Sequence, residues 1–245
     1  MSDPKTIPLP LDKTPSDIAG MFDGIAGRYD LLNHLFSAGL DQGWRIRAVE
    51  VLALDGKETV LDLCTGTADL ALALCAPKSG ARRVVGIDFS AQMLRHGQDK
   101  LAHRQLDGRI HLLRGDAVHI PLADQSVDAV TVGFGIRNVV EPRWTLAEIL
   151  RVLRPGGRVA ILEFGEPTAA PVRTAYLWYF RRLLPLVGRL VSHHPTAYSY
   201  LPASVGRFYD SPAFCRLLKS SGFSGVHVTS LTCGIVRLYQ GFKPL

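Results

Sequence analysis

Three aspartates, Asp62, Asp88 and Asp116, stand at the ends of short apolar runs, where carboxylates can meet a ligand. The first begins the segment 62–69, which reads DLCTGTAD and has one glycine between two carboxylates. A glycine in such a turn lets a ligand approach the backbone closely. A dinucleotide would need the pattern G-x-G-x-x-G, because its pyrophosphate lies on a helix N-terminus. Carboxylates instead suit a cationic ligand, so the loop predicts S-adenosyl-L-methionine rather than NAD.

The second and third aspartates extend this prediction to the adenosine part of the ligand. Asp88 follows Asp62 by 26 residues, a place from which an acidic side chain accepts hydrogen bonds from ribose hydroxyls. In the pair Asp116-Ala117, the carboxylate can accept from the adenine amine and the next N–H can donate to a ring nitrogen. One such aspartate is usually a turn or cap residue, whereas three at successive strand ends indicate a bound adenosyl group.

These positions require an alternation of strands and helices, and the hydrophobic pattern predicts it. The predicted strands cover residues 59–63, 83–87, 110–113, 127–134 and 159–164. Helical patterns lie between them at 70–75, after Ser90, and at 146–153, the last stopped by a Pro-Gly-Gly turn at 155–157. Such alternation predicts a parallel sheet with helices on both faces. A later helix at 214–220 and two apolar runs, 226–231 and 235–239, predict a terminal antiparallel hairpin.

The rest of the chain departs from this alternation. Residues 1–17 contain four prolines and are predicted to be a mobile arm before a single domain at 18–245. Helical patterns at 18–29 and 44–54 predict a helical cap over 18–54. Residues 166–208 show no clear strand and are rich in aromatic side chains and arginine, so we expect a hydrophobic and basic insertion.

Composition limits the class of protein. The chain has 245 residues, of which 47% are hydrophobic and 20% charged, and this excludes disorder for its bulk. The four cysteines show no C-x-x-C spacing, so we expect reduced, buried thiols and no metal site. The N-terminus lacks the apolar core of a signal peptide, and charges interrupt the greasy stretch 175–191, so neither predicts export or a membrane span.

Several blocks of the sequence also resemble one family, the ubiquinone/menaquinone biosynthesis C-methyltransferases, from about Ala19 to the C-terminus. The blocks are Tyr29-Asp30-Leu31-Leu32-Asn33 with Ser37 and Trp44, Phe134-Gly135-Ile136-Arg137-Asn138-Val139, 151–158 (RVLRPGGR) with Glu163-Phe164, Tyr198-x-Tyr200-Leu201, and Gly234-Ile235-Val236. The Pro-Gly-Gly turn is common to many methyltransferases, while the first two blocks are specific. The chain departs from the family pattern at Leu32 (usually Met), Asp41 (usually His), Gly165 (usually Ser) and Ala68 (usually Gly).

The resemblance implies a Rossmann-like class I S-adenosylmethionine-dependent methyltransferase with a mostly parallel seven-stranded sheet and a terminal antiparallel hairpin. It implies methyl transfer to a ring carbon of a prenylated quinol. By similarity, Thr67, Asp88, Asp116 and Ala117 contact the cofactor, and our interpretation of the loop adds Asp62 and Gly66. The resemblance names no catalytic residue, and Asp41 does not supply the histidine that the family usually has at this position. Polar candidates in the family-like blocks are Tyr29, Asp30, Asn33, Arg137, Asn138, Tyr198 and Arg207.

The family includes enzymes that methylate naphthoquinols and enzymes that methylate benzoquinols. The cofactor loop is nearer to the menaquinone-type members, so we expect C-methylation of demethylmenaquinol to menaquinol, the last step of menaquinone biosynthesis. The alternative is a 2-methoxy-6-polyprenyl-1,4-benzoquinol of ubiquinone biosynthesis, or both substrates. Two other classes of protein are disfavoured. The loop lacks the second and third glycines of a nicotinamide dehydrogenase, and the chain lacks the RNA-recognition motif of an RNA-binding protein or RNA methyltransferase.

The net charge of +6 has an uneven distribution along the chain. The span 143–207 holds nine arginines against three acids, an excess equal to that of the whole chain. Basic residues within a greasy segment favour reversible contact with anionic lipid over nucleic acid. We therefore expect a cytoplasmic protein at the inner face of the cell membrane, with a prenylated quinol as partner, no nucleic acid, and homo-oligomerisation as an open alternative.

Overall fold

A seven-stranded sheet forms the centre of the molecule. The computed structural model describes residues 15–76, 80–106, 108–179 and 197–245, without the side chains of 15–17 and 197–199. The strands are β1 (Thr59–Leu63), β2 (Arg83–Asp88), β3 (Ile110–Arg114), β4 (Val127–Gly133), β5 (Leu153–Phe164), β6 (Ser224–Leu231) and β7 (Val236–Phe242). Their order is β3-β2-β1-β4-β5-β7-β6, with β7 antiparallel to both neighbours and the other pairs parallel. The predicted sheet and terminal hairpin are confirmed.

The order of the strands places the cofactor loop at the middle of the sheet. After β1 the chain steps outward to β2 and β3 and then returns to β4 on the other side of β1. Loops that leave β1 and β4 therefore diverge, which opens a crevice over the carboxyl ends of the strands. The loop at 64–68 and the turn after Gly133 border this crevice.

Helices cover both faces of the sheet. They are α1 (Pro15–Phe36), α2 (Leu40–Glu50), α3 (Asp69–Leu74), α4 (Ala91–Arg104), α5 (Pro142–Val152), α6 (Ala170–Trp178), α7 (Ala197–Arg207) and α8 (Ser211–Ser220), with short 3-10 turns at Ile136–Asn138 and Thr232–Gly234. Side chains of α2, α3 and α4 pack on one face together with Val60. Those of α5 and α8 pack on the other with Leu61 and Leu63, as the alternation along β1 requires.

A third apolar cluster lies above the carboxyl edge of the sheet. Met21, Ile25 and Leu32 of α1 pack there with Met93 of α4 and Tyr176 of α6, and α7 adds further side chains. Helix α1 of the cap therefore meets α6 and α7 over the crevice. The division into arm, cap and insertion stays a prediction, and residues 1–14 and 180–196 lie outside the described residues.

Some predicted boundaries were wrong. The helix predicted at 146–153 begins at Pro142 and ends at Val152, and β5 starts at Leu153 rather than 159. The Pro-Gly-Gly turn is an irregularity inside that strand, because Gly156 N–H donates to Lys243 O and Lys243 N–H donates to Gly157 O. The second helix of the cap ends at Glu50, four residues before the predicted end.

The predicted cysteine states hold only in part. All four are free thiols, but only Cys75 is buried. Cys64 and Cys215 are partly buried, and Cys233 is exposed in the turn between β6 and β7. In the parts of the chain that the structure covers, no helix is both long and apolar enough to cross a membrane.

Candidate functional site

The loop after β1 turns sharply through three left-handed residues. Cys64, Gly66 and Ala68 have φ values of 56°, 57° and 67°, and Ala68 is the residue before α3. Only glycine adopts this conformation without cost, so the other two carry strain. Ala68, which replaces the usual glycine of the family, is therefore held in a strained backbone conformation.

Asp62 supports this loop from below. Its carboxylate is fully buried and accepts hydrogen bonds from Thr65 Oγ1 at 2.6 Å and Thr131 Oγ1 at 2.7 Å. Burial raises the pKa of Asp62 to about 6, against the lowering effect of those two hydroxyls. The side chain therefore ties the loop to β4, while its role towards a ligand stays a prediction.

A close contact joins the cofactor loop to the turn after β4. A side chain on Gly135 would place its Cβ 2.3 Å from Cys64 Cβ and 3.0 Å from Cys64 Sγ. The loop can lie against the turn only because position 135 has no side chain. Burial raises the pKa of the Cys64 thiol well above its usual range, so the thiol is neutral in this wall.

Asp88 joins the end of β2 to the cofactor loop. One carboxylate oxygen accepts from Gly66 N–H at 2.8 Å and the other from Ser90 N–H at 2.9 Å. Burial raises the pKa of Asp88, and hydrogen bonds from the backbone N–H groups of Ser90, Gly66 and Phe89 oppose the rise. A carboxylate has about four acceptor positions. Capacity therefore remains for a hydroxyl donor from a ligand.

A cavity of about 120 Å³ begins at Asp88 and extends along the ends of β2, β3 and β4. Asp116, Ala117 and Gly66 line it, and their contacts with a cofactor stay a prediction. Asn138 adds a further polar wall. We call this the adenosyl cavity. Helix α1 lies over it with Phe22 and other side chains.

A second, larger cavity of about 330 Å³ adjoins it between α1, α2, α6 and α7. The two share six lining residues, Phe22, Tyr29, Cys64, Gly66, Gly133 and Phe134. Most of the second lining is apolar and aromatic, including Trp44 and Phe164. The ring centroids of Phe134 and Phe164 are 4.6 Å apart. We call this the aromatic cavity, and its volume and its apolar, aromatic lining suit an apolar ring.

One end of the aromatic cavity is polar. Asp41 accepts hydrogen bonds from Ser37 Oγ at 2.7 Å and from Arg45, and its other neighbour is His34. Although burial opposes ionisation, the bonds from Ser37 and Arg45 lower the pKa of Asp41. Arg45 also lies 3.4 Å from Asp69. Both carboxylates are thus paired, and position 41 holds an ionised carboxylate where the family usually has histidine.

Thr67 does not point a free hydroxyl into the adenosyl cavity. Its Oγ1 donates to Asp30 at 2.5 Å and accepts from Lys100 Nζ at 3.0 Å. Lys100 Nζ also lies 2.6 Å from carboxylate oxygens of Asp30 and of Asp69. The side chain of Thr67 lines the aromatic cavity. A cofactor contact by Thr67 remains a prediction, and the structure adds a tie between the cofactor loop and α1.

Arg137 forms a buried ion pair at the end of β4. Its Nη1 lies 2.6 Å from Glu163 Oε1, with both side chains almost inaccessible to solvent. The guanidinium also donates to Phe134 O and to Ser204 Oγ of α7, and it lies 5.4 Å from the Phe164 ring centroid. Arg137 lines the aromatic cavity and fixes α7 to the sheet.

The candidate catalytic residues divide into three groups. Tyr29, Asn33 and Arg137 line the aromatic cavity, and Tyr29 and Asn138 line the adenosyl cavity. Asn138 Oδ1 accepts from Tyr200 OH at 3.0 Å. Asp30 and Arg207 line neither cavity, since Asp30 is bound to Lys100 and Arg207 is exposed at the end of α7. The side chain of Tyr198 lies outside the described residues.

Comparison with known proteins decides the family. The profile of the ubiE/COQ5 methyltransferase family matches residues 11–243. The chain belongs to this family. A protein named demethylmenaquinone methyltransferase from Clavibacter sepedonicus is 43% identical over 234 residues, covering 96% of this chain and 93% of the relative. A protein from Syntrophotalea carbinolica, named ubiquinone/menaquinone biosynthesis C-methyltransferase UbiE, is 45% identical over 229 residues and covers 94% and 95%.

Solved structures of lower identity share the fold of this ubiE/COQ5 member. The [4+2]-cyclase SpnF has a TM-score of 0.69 at 18% identity, covering 95% of this chain and 97% of its own. A Thermotoga maritima protein, titled a SAM-dependent methyltransferase and possible histamine N-methyltransferase, has a TM-score of 0.64 at 17% identity. The match covers 92% of this chain and 99% of that protein. The first neighbour is named as a cyclase, so the fold alone does not decide the reaction.

Family membership confirms the prediction of an S-adenosylmethionine-dependent methyltransferase with this cofactor. The residues of this ubiE/COQ5 chain fit the ligand. Asp88 keeps acceptor capacity for a ribose hydroxyl, and Asp116 and Ala117 line the same cavity. Asp88 and Asp116 line this cavity, and negative charge there favours a ligand that is cationic at its sulfonium and ammonium.

Sequence reasoning missed four residues that shape this site. Arg45 and Lys100 connect the carboxylates around the loop, Asp23 binds the start of α4, and Glu163 holds Arg137. Asp23 and Asp30 are seven residues apart, two helical turns, and that spacing was a readable signal for one shared helix face. The pairing of Arg45 with Asp69 depends on tertiary structure and has no local signal.

Proposed function

We propose that this protein methylates a ring carbon of demethylmenaquinol, with S-adenosylmethionine as donor, and releases menaquinol, the last step of menaquinone biosynthesis. The observation that carries the proposal is the aromatic cavity of about 330 Å³, which shares a wall with the adenosyl cavity at Cys64, Gly66 and Phe134. A flat apolar ring there would lie beside the methyl donor. The name of the Clavibacter sepedonicus relative supports the naphthoquinol as that ring.

A second candidate is the 2-methoxy-6-polyprenyl-1,4-benzoquinol of ubiquinone biosynthesis. The Syntrophotalea carbinolica relative is named for both pathways, at 45% identity. The cofactor loop at 64–69, CTGTAD, favours the menaquinone-type members. Purified protein given each quinol with labelled donor separates the candidates, because only the true substrate acquires label.

The residues of the chain have separable tasks in this reaction. When bound, S-adenosylmethionine supplies an electrophilic methyl group. Asp88 and the Asp116-Ala117 pair hold the adenosine part, and the strained loop with Gly66 allows a close approach of the backbone. Holding two reactants in one orientation can contribute several kcal/mol to the rate. The aromatic cavity excludes water from the ring.

Tyr29 is the polar side chain that lines both cavities. Burial raises its pKa, although a hydrogen bond from Asn33 opposes the rise. Its phenol is therefore protonated at neutral pH and can donate a hydrogen bond to a quinol oxygen. Ionising a ring hydroxyl releases one proton and pushes charge onto the ring carbon. The carbon takes the methyl group, S-adenosylhomocysteine leaves, and the C–H proton is then lost from the carbon to restore the ring hydroxyl. We assign Tyr29 to orient the ring rather than to accept that proton.

We also propose reversible contact with the inner face of the cell membrane, since the substrate carries a prenyl tail. Three of the nine arginines, Arg151, Arg154 and Arg158, pair with Glu148, Asp128 and Glu58, at the sheet end opposite the site. They do not add to a patch at the cavities. The contact would instead involve α6, where Trp178 is 62% exposed, and Arg207 of α7.

The test of membrane contact uses two neighbouring arginines, Arg181 and Arg182, which lie outside the described residues. Changing both to glutamate is expected to reduce sedimentation with anionic vesicles, while Arg82→Glu, on the exposed surface before β2, serves as control. Equal loss in the control would contradict a local contact. The expectation that the protein binds no nucleic acid stays a prediction from the sequence. Homo-oligomerisation stays an open alternative.

A further inference from the structure

Helix α1 forms a wall of both cavities. Ile18 and Ala19 line the adenosyl cavity, and Phe22 and Tyr29 line both. A ligand of the adenosyl cavity therefore lies beneath α1. The position of this one helix affects the cofactor and the substrate at once.

One carboxylate of α1 binds the start of α4. Asp23 Oδ1 accepts from Ser90 Oγ at 2.5 Å and from Gln92 N–H at 3.1 Å. Ser90 N–H in turn donates to Asp88 at 2.9 Å. A chain of hydrogen bonds thus runs from α1 to the carboxylate that lines the adenosyl cavity.

A second carboxylate of α1 binds the cofactor loop. Asp30 Oδ1 accepts from Thr67 Oγ1 at 2.5 Å, and Asp30 Oδ2 lies 2.6 Å from Lys100 Nζ. Lys100 reaches from α4 to Asp69 as well, at 2.6 Å. The loop, α3, α4 and α1 therefore meet at one ammonium group.

The two carboxylates differ in kind from the apolar contacts of the same helix. Met21 and Ile25 bury against Met93 and other apolar side chains, but hydrophobic adhesion has no direction. Hydrogen bonds to charged groups have defined geometry and are stronger than neutral ones. Asp23 and Asp30 lie two turns apart on one face, so together they fix where α1 rests along α4.

We propose that Asp23 and Asp30 are positioning residues, which hold α1 over the adenosyl cavity and thereby complete the site for S-adenosylmethionine. Cofactor binding and the docking of α1 are then coupled, and each strengthens the other to the same degree. The proposal rests on the adenosyl cavity as the S-adenosylmethionine site. It adds that the cavity is complete only while both carboxylates hold the helix.

The test compares full-length wild type, Asp23→Asn, Asp30→Asn and the double variant. Asp99→Asn, which removes an exposed carboxylate of α4, is the matched control. Calorimetry with S-adenosylhomocysteine measures affinity, and hydrogen exchange measures the protection of α1 and of the central strands. We expect the dissociation constant of the double variant to rise about tenfold. We also expect faster exchange in α1, with β1 and β4 unchanged.

Two variants of Lys100, and hydrogen exchange without ligand, separate the positioning of α1 from a general loss of stability. Lys100→Arg keeps the charge beside Asp30 and is expected to retain affinity, whereas Lys100→Met is expected to lose it. Without ligand, α1 of the double variant should exchange faster than that of wild type. Equal exchange in α1, or affinity within twofold of wild type, would overturn the proposal. Failure of the wild type to bind S-adenosylhomocysteine would instead count against the cofactor site and leave the unliganded comparison decisive.

Discussion

The Asp88 carboxylate at the end of β2 accepts a hydrogen bond of 2.8 Å from Gly66 N–H in the loop after β1. This bond joins the two segments that predict the cofactor site in the sequence, one from a glycine turn and one from an acidic strand end. Removing the carboxylate therefore also removes this support of the loop, in addition to the ribose contact that we predict for Asp88.

Replacing Asp88 by alanine is expected to weaken S-adenosylhomocysteine binding by about 1–3 kcal/mol, the range for the loss of a charged hydrogen-bonding partner. Calorimetry on Asp88→Ala measures the change directly. Asp99→Ala, on the exposed face of α4, is the control and should bind normally. Unchanged affinity of Asp88→Ala would refute the ribose role.

The buried Asp62 predicts a specific dependence of stability on pH. Its pKa is about 6 when folded and 3.8 without burial, so the folded state binds more protons between those values. The free energy of unfolding therefore falls as pH rises from about 4 to 6, by roughly 3 kcal/mol from this group, and is level beyond. Asp62→Asn removes the ionisation and with it this slope.

Urea unfolding of wild type and Asp62→Asn at pH 4.5 and pH 7.5 tests this dependence. We expect the asparagine variant to gain stability relative to wild type at the higher pH, because only wild type then buries a charge. Titrating groups distant from Asp62 cancel in the difference, whereas Asp88 interacts with Asp62 and adds to it. Parallel pH curves for the two proteins would contradict the assignment.

The contact between Gly135 and Cys64 predicts a rescue. Gly135→Ala would force its Cβ to 2.3 Å from Cys64 Cβ, so we expect the free energy of unfolding to fall by about 1–3 kcal/mol. Cys64→Gly removes the opposing side chain and suits the φ of 56°. The double variant should therefore recover stability, measured by urea unfolding. A double variant no more stable than Gly135→Ala would show that the contact is not the cause.

The buried pair of Arg137 and Glu163 predicts a large penalty for breaking one side. Glu163→Gln leaves the guanidinium without a counter-charge and is expected to cost about 3–5 kcal/mol. Glu50→Gln, in the exposed pair with Arg47, is the control and should cost less than about 1 kcal/mol. Denaturant unfolding measures both. A similarly small loss of unfolding free energy in both variants would mean that water reaches the pair of Arg137 and Glu163.

Much of the fold could be predicted because its signals are local. The apolar run at 59–63 is β1 to the residue, and Ser90 caps α4 by accepting from Met93 N–H, as the sequence suggests. The start of β5 could not be predicted, since a Pro-Gly-Gly turn that follows a helix normally lies outside the next strand. Here Gly156 and Gly157 bond to Lys243, which is distant in sequence.

The part of the candidate site that lies at the strand ends could also be predicted. Strand-end aspartates and the Gly66 loop fall together because parallel strands share a carboxyl edge. The hydrogen bond from Thr67 to Asp30 could not be predicted, because it depends on how α1 packs over the loop. Arg207 shows the converse, since a polar residue in a family-like region lies exposed and lines neither cavity.

The paired quinol assay tests the central claim most directly. Purified protein is given labelled S-adenosylmethionine with reduced demethylmenaquinol or with the methoxy-benzoquinol, and label in each extracted quinol is measured. We predict label in menaquinol, and little or none in the benzoquinol product. Label only in the benzoquinol product, or in neither quinol, would contradict the proposed function.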